Sequence, residues 1–367
     1  MKAKTGFSKQ TDSAAAVASL KQSLGDPDVK LVLYFASSQY EPATLARQMA
    51  AAFPDAALLG CTTAGEIVSG HLFDQSLVAM ALGSELVKQV HVALAENVAT
   101  DARSATKAAL SRLETSTGSK LPALDAARVC GLILCDGLSG AEETIMDELG
   151  NQSDLTFIGG SAGDDLQFKR THVFVGGKTY SNVAALALLE LCAPFRVIKT
   201  QSFRVLPTAL IATRVNEKAR EVLEFDGRPA AEAYASALGV PVASLAEQFM
   251  RHPLGLMAEG EPFVRSPQAV VGSAVRFYCQ ILEGMQLQVL ESTDIVADTA
   301  RALEAVGEPS ALLNFHCILR TLELKAKGQS EAYGDLFQRV PTLGFSTYGE
   351  AYIGHINQTS TILVIDS

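Results

Sequence analysis

Hydrophobic positions in this chain switch between helical and strand spacing, and the order of the switches repeats. Ser13 to Leu24 reads as a helix, followed by Lys30-Leu31-Val32-Leu33-Tyr34-Phe35-Ala36 as a fully buried strand. A second helix from Glu41 to Phe53 sets Leu45, Met49 and Phe53 on one face, and a short strand runs into Gly60. The order then returns: helix near Ala102 to Leu113, strand Val129 to Cys135, helix Ala141 to Leu149, strand Leu155 to Ile158. A third round has helix Ile295 to Ala305, strand Ala311 to Cys317, helix near Gln329 to Phe337, and strand Thr342 to Phe345.

Between the rounds lie segments of another kind. Leu77 to Leu82, Thr171 to Val175 with Gly176-Gly177 as a turn, and Thr359 to Ile365 read as antiparallel strands and hairpins. The expected fold class is therefore α/β, in mixed sandwich layers, with two related lobes built from duplicated helix-strand-helix-strand units.

A motif repeats with the pattern. Gly60-Cys61-Thr62-Thr63-Ala64-Gly65-Glu66 runs on to Gly70-His71, and Gly344-Phe345-Ser346-Thr347-Tyr348-Gly349-Glu350 runs on to Gly354-His355. Without a gap they agree at six of twelve positions. A looser copy, Gly159-Gly160-Ser161-Ala162-Gly163-Asp164-Asp165, sits between them, and such self-similarity marks a fold built by duplication. The motif allows two readings. Its hydroxyls and the carboxyls of Glu66, Asp164 and Glu350 could hold a small polar ligand. Alternatively, each copy is a tight corner whose glycines permit close backbone approach and whose carboxylate caps exposed N–H groups.

Composition narrows the setting. The 367 residues are 48% hydrophobic and 19% charged with a formal net charge of -10, and no Lys/Arg cluster stands out, which argues against a nucleic-acid partner. The start, from Met1 to Ser8, lacks the apolar core of a secretory signal, and the run from Val183 to Phe195 is too short to span a membrane. Six dispersed cysteines form neither a disulfide framework nor a CxxC zinc pair, and fit a reduced cytoplasmic setting. A domain boundary is expected near 220. It leaves 1–28 as N-terminal segment and first helix, 29–220 as one domain and 221–367 as another. Val222 to Pro229 reads as a hairpin turn at the start of the second, with a helix opening at Pro229. An acidic, apolar-rich chain of this kind is compatible with a homodimer.

No HExxH, P-loop, GxSxG or GxGxxG pattern occurs, and Cys61 is matched by Phe345 in the other copy, so the chain is not expected to be an enzyme. The histidines remain as candidates for ligand chemistry. His71 and His355 hold matching places in two motif copies, His91 and His172 belong to strand patterns, and His252 lies in an apolar loop. His316 ends a strand otherwise made of Ala, Leu, Asn, Phe and Cys. Strand ends are where α/β sheets bind ligands, and an imidazole among apolar neighbours suits a haem iron or another soft metal. Equally, it could be a core histidine bonded to backbone. The candidate cofactor residues are His316, with the iron assigned to it, then His252 and His355.

Gly60 to Ile67, Gly159 to Asp165, and Gly344 to Glu350 with Asn357-Gln358-Thr359 resemble the signatures of FIST proteins, an N-terminal and a C-terminal FIST domain in tandem. The likeness runs from about Val29 to Ile365. It implies a sensory, ligand-binding module of bacterial signal transduction. The resemblance is strongest to stand-alone members that bind haem b, sense nitric oxide, and regulate a histidine kinase or a cyclic-di-GMP enzyme, whether diguanylate cyclase or phosphodiesterase. The general family expectation is a small polar ligand such as an amino acid. The resemblance supplies no haem ligand; His316 rests on its own surroundings.

Overall fold

Helix starts follow local chemistry. Asp12 accepts the Ala15 N–H at 2.8 Å and opens the helix Ser13–Leu24. Glu41 accepts the N–H groups of Ala43 and Thr44, ahead of Pro42 in the first turn of Pro42–Ala52. The computed structural model describes residues 2–25, 28–258 and 260–367, so Met1, Asp26 and Pro27 of the expected N-terminal segment lie outside the described residues. Two compact units emerge. Unit 1 comprises Met1–Thr200, Thr299–His355 and Ser360–Ser367, and unit 2 comprises Gln201–Asp298 and Ile356–Thr359.

Unit 1 contains the helix-strand-helix-strand round three times, each preceded by an edge strand and followed by a hairpin and a return strand. In the first repeat the edge strand is Ala3–Ser8, the inner strand Val29–Ser37, the motif strand Ala57–Thr63, the hairpin Glu66–Val68 with His71–Phe73, and the return strand Leu77–Gly83. The second repeat follows with Val87–Glu96, Val129–Cys135, Phe157–Ser161, the hairpin Val173–Val175 with Lys178–Tyr180, and Val183–Leu191. In the third they are Phe195–Gln201, Ala311–Cys317, Thr342–Thr347, the hairpin Glu350–Ala351 with His355–Ile356, and Thr359–Ile365. The fold is mixed α/β, as the hydrophobic pattern predicts.

Each repeat builds one six-stranded sheet in the order edge, return, inner, motif, and the last two places go to a hairpin from another repeat. The first repeat lends its hairpin to the third, the third to the second, and the second to the first. Inner and motif strands pair parallel in every sheet. Their near-continuous apolar runs follow, because both faces are covered. One face of each sheet contributes to a single shared core, with Phe35, Leu134, Phe315 and Phe345 among its members. Outer faces are covered by the helices. Tyr34 and Ala36 meet the first pair of helices, Ser13–Leu24 and Pro42–Ala52, and Ile133 and Cys135 meet the second, Val98–Thr117 and Glu142–Gln152.

Several elements differ from the sequence expectation. The edge strand Ala3–Ser8 leaves no apolar run in the sequence, because polar residues interrupt it and only one side is paired. A helix, Ile318–Ala326, follows the strand Ala311–Cys317 without a break, and the last helix is the short Ser330–Asp335. In the third repeat residues 202–294 intervene between the edge strand and the helix Ile295–Glu304. They make up most of unit 2, with an antiparallel sheet around Phe225, Tyr234, Leu245 and Val289, in which Glu221–Phe225 and Arg228–Pro229 form the expected hairpin. Among the described residues, no helix is long and apolar enough to cross a membrane.

Candidate functional site

The motif strands explain their shared glycine by sterics. A Cβ on Gly60, Gly159 or Gly344 would lie 2.0, 1.8 and 2.0 Å from the carbonyl oxygen of Tyr34, Ile133 and Asn314 on the neighbouring inner strand. Beyond these glycines the three copies bond to one another in a ring. Gly163 N–H donates to Thr62 O at 2.9 Å, Ser346 N–H to Gly65 O at 2.7 Å, and Ser161 N–H to Gly349 O at 2.9 Å. The motifs are therefore mutual corners.

Their carboxyls differ in environment. Glu66 is wholly buried and accepts from the Thr63 hydroxyl at 2.5 Å and from Ser76 N–H and O–H at 3.0 and 2.7 Å. Burial outweighs these bonds and pushes its carboxyl up to about 8. Burial would also raise Asp164, but the Tyr348 hydroxyl at 2.6 Å and three backbone N–H groups hold it below its usual value.

The third sheet breaks the pattern on its outer face. Pairing with the motif strand makes Asn314 the counterpart of Tyr34 and Ile133, and His316 the counterpart of Ala36 and Cys135. Where two repeats carry apolar or small side chains, the third carries an amide and an imidazole. Sequence neighbours misled here: Phe315 points to the shared core, so the expected apolar surroundings of His316 are instead polar. Tyr333 places its hydroxyl 2.9 Å from His316 Nδ1, Asn314 Nδ2 donates to that hydroxyl at 3.1 Å, and Ser360 donates to Asn314 Oδ1 at 2.7 Å. All four side chains are fully buried. His316 Nε2 has no hydrogen-bond partner. Burial, with the Arg320 guanidinium nearby, holds this imidazole well below the usual histidine range, so it is neutral at physiological pH. Arg320, itself buried, donates to the hydroxyls of Thr299 and Thr200 at 3.1 and 3.4 Å.

The other candidates lie elsewhere. His355 is on the hairpin that completes the second sheet, its ring against Gly349 and its Nδ1 unpartnered. His252 belongs to unit 2, where its Nδ1 lies 3.2 Å from the Leu290 carbonyl oxygen. His71, matched to His355 in sequence, is exposed and stacks on Phe73. Among the described residues, no group of three His, Cys, Asp or Glu side chains is gathered to hold a metal ion. Asn314, Tyr333, Ser360 and Arg320 went unnoticed in the sequence. Alignment of the three inner strands, with Asn and His against Tyr-Ala and Ile-Cys, is the signal that finds them.

Comparison with known proteins gives the architecture a family. The FIST N domain matches residues 30–228 and the FIST C domain residues 230–352. This chain belongs to the FIST family. FIST domains serve sensory signalling, and here the two occur in tandem, so the first two motif copies lie in FIST N and the third copy, with the His316 strand, in FIST C. The chain is also similar to an uncharacterized protein of Methanocaldococcus jannaschii, 25% identical over 279 residues that cover 70% of this chain and 54% of the archaeal protein. It thus spans about half the length of that curated relative.

Proposed function

We propose that this FIST protein is a ligand sensor whose ligand seat lies on the outer face of the third sheet at His316, and that it signals to a separate partner. One observation carries the reading: a buried, neutral imidazole with an unpartnered Nε2, at a position where the two sister repeats hold Ala36 and Cys135. Buried polar atoms are nearly always bonded, and an exception calls for a ligand or another explanation.

The first ligand reading is haem b with nitric oxide as the sensed gas. His316 is the residue that would hold the iron. Its neutral imidazole, held at Nδ1 by Tyr333, would offer Nε2 to a metal once the ring hydrogen lies on Nδ1, and such outer partners fix the ring of a ligating histidine. Bound haem iron would supply the centre that takes the gas. The protein's own part is to fix the imidazole plane from Asn314 and Tyr333 and to carry a displacement of the strand outward. His316 pairs with Ser346, whose N–H is bonded to Gly65, so movement of the third sheet reaches the Glu66 corner. A histidine kinase or a cyclic-di-GMP enzyme is the class of partner this reading calls for.

The second reading is a small polar ligand such as an amino acid, favoured by the Asn314, Ser360, Thr321, Ser346 and Arg320 groups around the same face. Absorption spectra separate the two. Ferric haem is added to the purified protein and to His316→Ala, then dithionite, then a nitric oxide donor. A sharp Soret band that shifts at each step in the wild type and is lost or altered in the variant supports haem at His316. A wild-type spectrum like that of free haem removes the haem reading, and thermal-shift screens of amino acids then test the second.

A further inference from the structure

The hydrogen bonds around His316 have a direction, and the direction decides what Nε2 can do. Ser360 O–H donates to Asn314 Oδ1, which turns the amide so that Nδ2 donates to the Tyr333 oxygen. Tyr333 has a single hydroxyl hydrogen, and its other hydrogen-bond partner is His316 Nδ1. That hydrogen therefore goes to Nδ1, which must be bare to accept it. A neutral imidazole with a bare Nδ1 carries its hydrogen on Nε2. In this arrangement the unpartnered Nε2 is a donor, suited to an oxygen acceptor such as a carboxylate and unable to bind iron.

The opposite arrangement needs only the Asn314 amide turned over. Oδ1 would then accept the Tyr333 hydrogen, the Tyr333 oxygen would accept from Nδ1–H, and Nε2 would be bare, as a metal requires. The sister repeats have no such choice, because Tyr34 and Ile133 stand where Asn314 does.

We infer that Asn314 is the specificity-determining residue of the seat: its amide, acting through Tyr333, sets whether His316 Nε2 donates a hydrogen to an acceptor ligand or is bare for a metal. The inference rests on the His316 seat proposed above and goes beyond it in naming the residue that selects the ligand class. Asn314 is a positioning residue, since it acts through Tyr333.

The test is nitrogen NMR of protein labelled at histidine, with the His316 signals assigned from their loss in His316→Ala. The wild type should show one neutral tautomer, hydrogen on Nε2. Asn314→Asp offers Tyr333 only an acceptor, so the hydrogen should appear on Nδ1. Asn314→Leu, which has no polar atom there, should give both tautomers and serves if the Asp variant fails to fold. A wild type with hydrogen on Nδ1, or variants that keep the wild-type pattern, would overturn the inference. A parallel ferric-haem titration should show Asn314→Asp binding at least about tenfold more tightly than wild type, about 1.4 kcal/mol. If the tautomer moves as expected and haem binds to neither protein, the haem reading fails while the role of Asn314 stands.

Discussion

Ser346 donates its backbone N–H to the carbonyl oxygen of Gly65 over 2.7 Å, and a Cβ on Gly65 would come 2.9 Å from Ser346 Oγ. Ala64 N–H returns the contact to Ser346 O at 3.3 Å, and Ser346 Oγ lies 2.7 Å from Thr321 Oγ1. One residue thus ties the first repeat's corner to the helix beside His316. Gly65 also holds a φ of +141°, which side chains rarely adopt. Gly65→Ala should therefore cost about 1–3 kcal/mol, from backbone strain and the close hydroxyl together. Chemical denaturation measures it, and an unchanged midpoint would show that the corner tolerates a methyl group.

Glu66 gives stability a pH dependence whose sign is opposite to that of most carboxylates. Its value rises from 4.5 to about 8 on folding, so the folded protein holds the proton more tightly. Its contribution is fully present below 4.5, falls as pH rises, and is lost once pH passes about 8. Glu66→Gln keeps an acceptor for Ser76 and a polar contact for Thr63 without the ionisation. Between pH 5 and 8 the variant should lose less stability than the wild type. Denaturant midpoints of both proteins at the two pH values check this, and parallel pH dependences would refute it.

Much of the framework is legible in the sequence, because inner strands buried on both faces leave unbroken apolar runs. Ala311–Cys317 and Ser13–Leu24 fall where the pattern places them. The motif repeats because its first glycine meets the same carbonyl in each sheet. What stays hidden is non-local. Nothing in Glu66–Val68 announces that it pairs with Leu343 to Phe345, about three quarters of the chain away. The helix Ile318–Ala326 hides because Ile318 and Leu319 prolong the apolar run of the preceding strand without any capping residue. His316 itself was visible, yet its environment was not. A strand residue shares its face with residues two positions away, so Asn314 is its neighbour and Phe315 is not.

The exchange of hairpins makes the three repeats one folding unit. A fragment of residues 1–191 contains the first two repeats complete, yet its motif strand Phe157–Ser161 lacks Glu350–Ala351, and its hairpin Glu66–Val68 lacks Thr342–Thr347. Both lose their ladder partners and expose sheet edges, and the shared core loses Phe315, Phe345 and Leu363. The fragment should therefore show no cooperative denaturant transition and little near-ultraviolet circular dichroism. A cooperative transition from the fragment alone would mean that two repeats suffice.

The loop after the second motif is tied down by two adjacent carboxylates, of which Asp165 accepts from Ser38 N–H at 2.7 Å and from the Ser37 hydroxyl at 2.9 Å. Asp164 accepts the N–H groups of Phe168, Lys169 and Arg170 at 2.8, 2.7 and 2.9 Å, and the Tyr348 hydroxyl at 2.6 Å. The backbone it restrains is left-handed at Asp165, Leu166 and Phe168, a sequence of conformations that few apolar residues adopt without external support. Phe168 is 53% exposed and stacks on Tyr348 at 4.9 Å, a contact too open to hold the loop by burial. Asp164→Ala should therefore release the loop at a cost of about 2–4 kcal/mol, with loss of exchange protection at the amides of 168–170. Tyr348→Phe, which removes one of the four donors to Asp164 and the acceptor of the Leu166 N–H at 2.9 Å, should cost about 1–2 kcal/mol and leave the amides of 168–170 protected. Hydrogen exchange on the two variants decides the matter. Protection that survives in Asp164→Ala would place the restraint in Asp165 and Tyr348 instead of the Asp164 carboxylate.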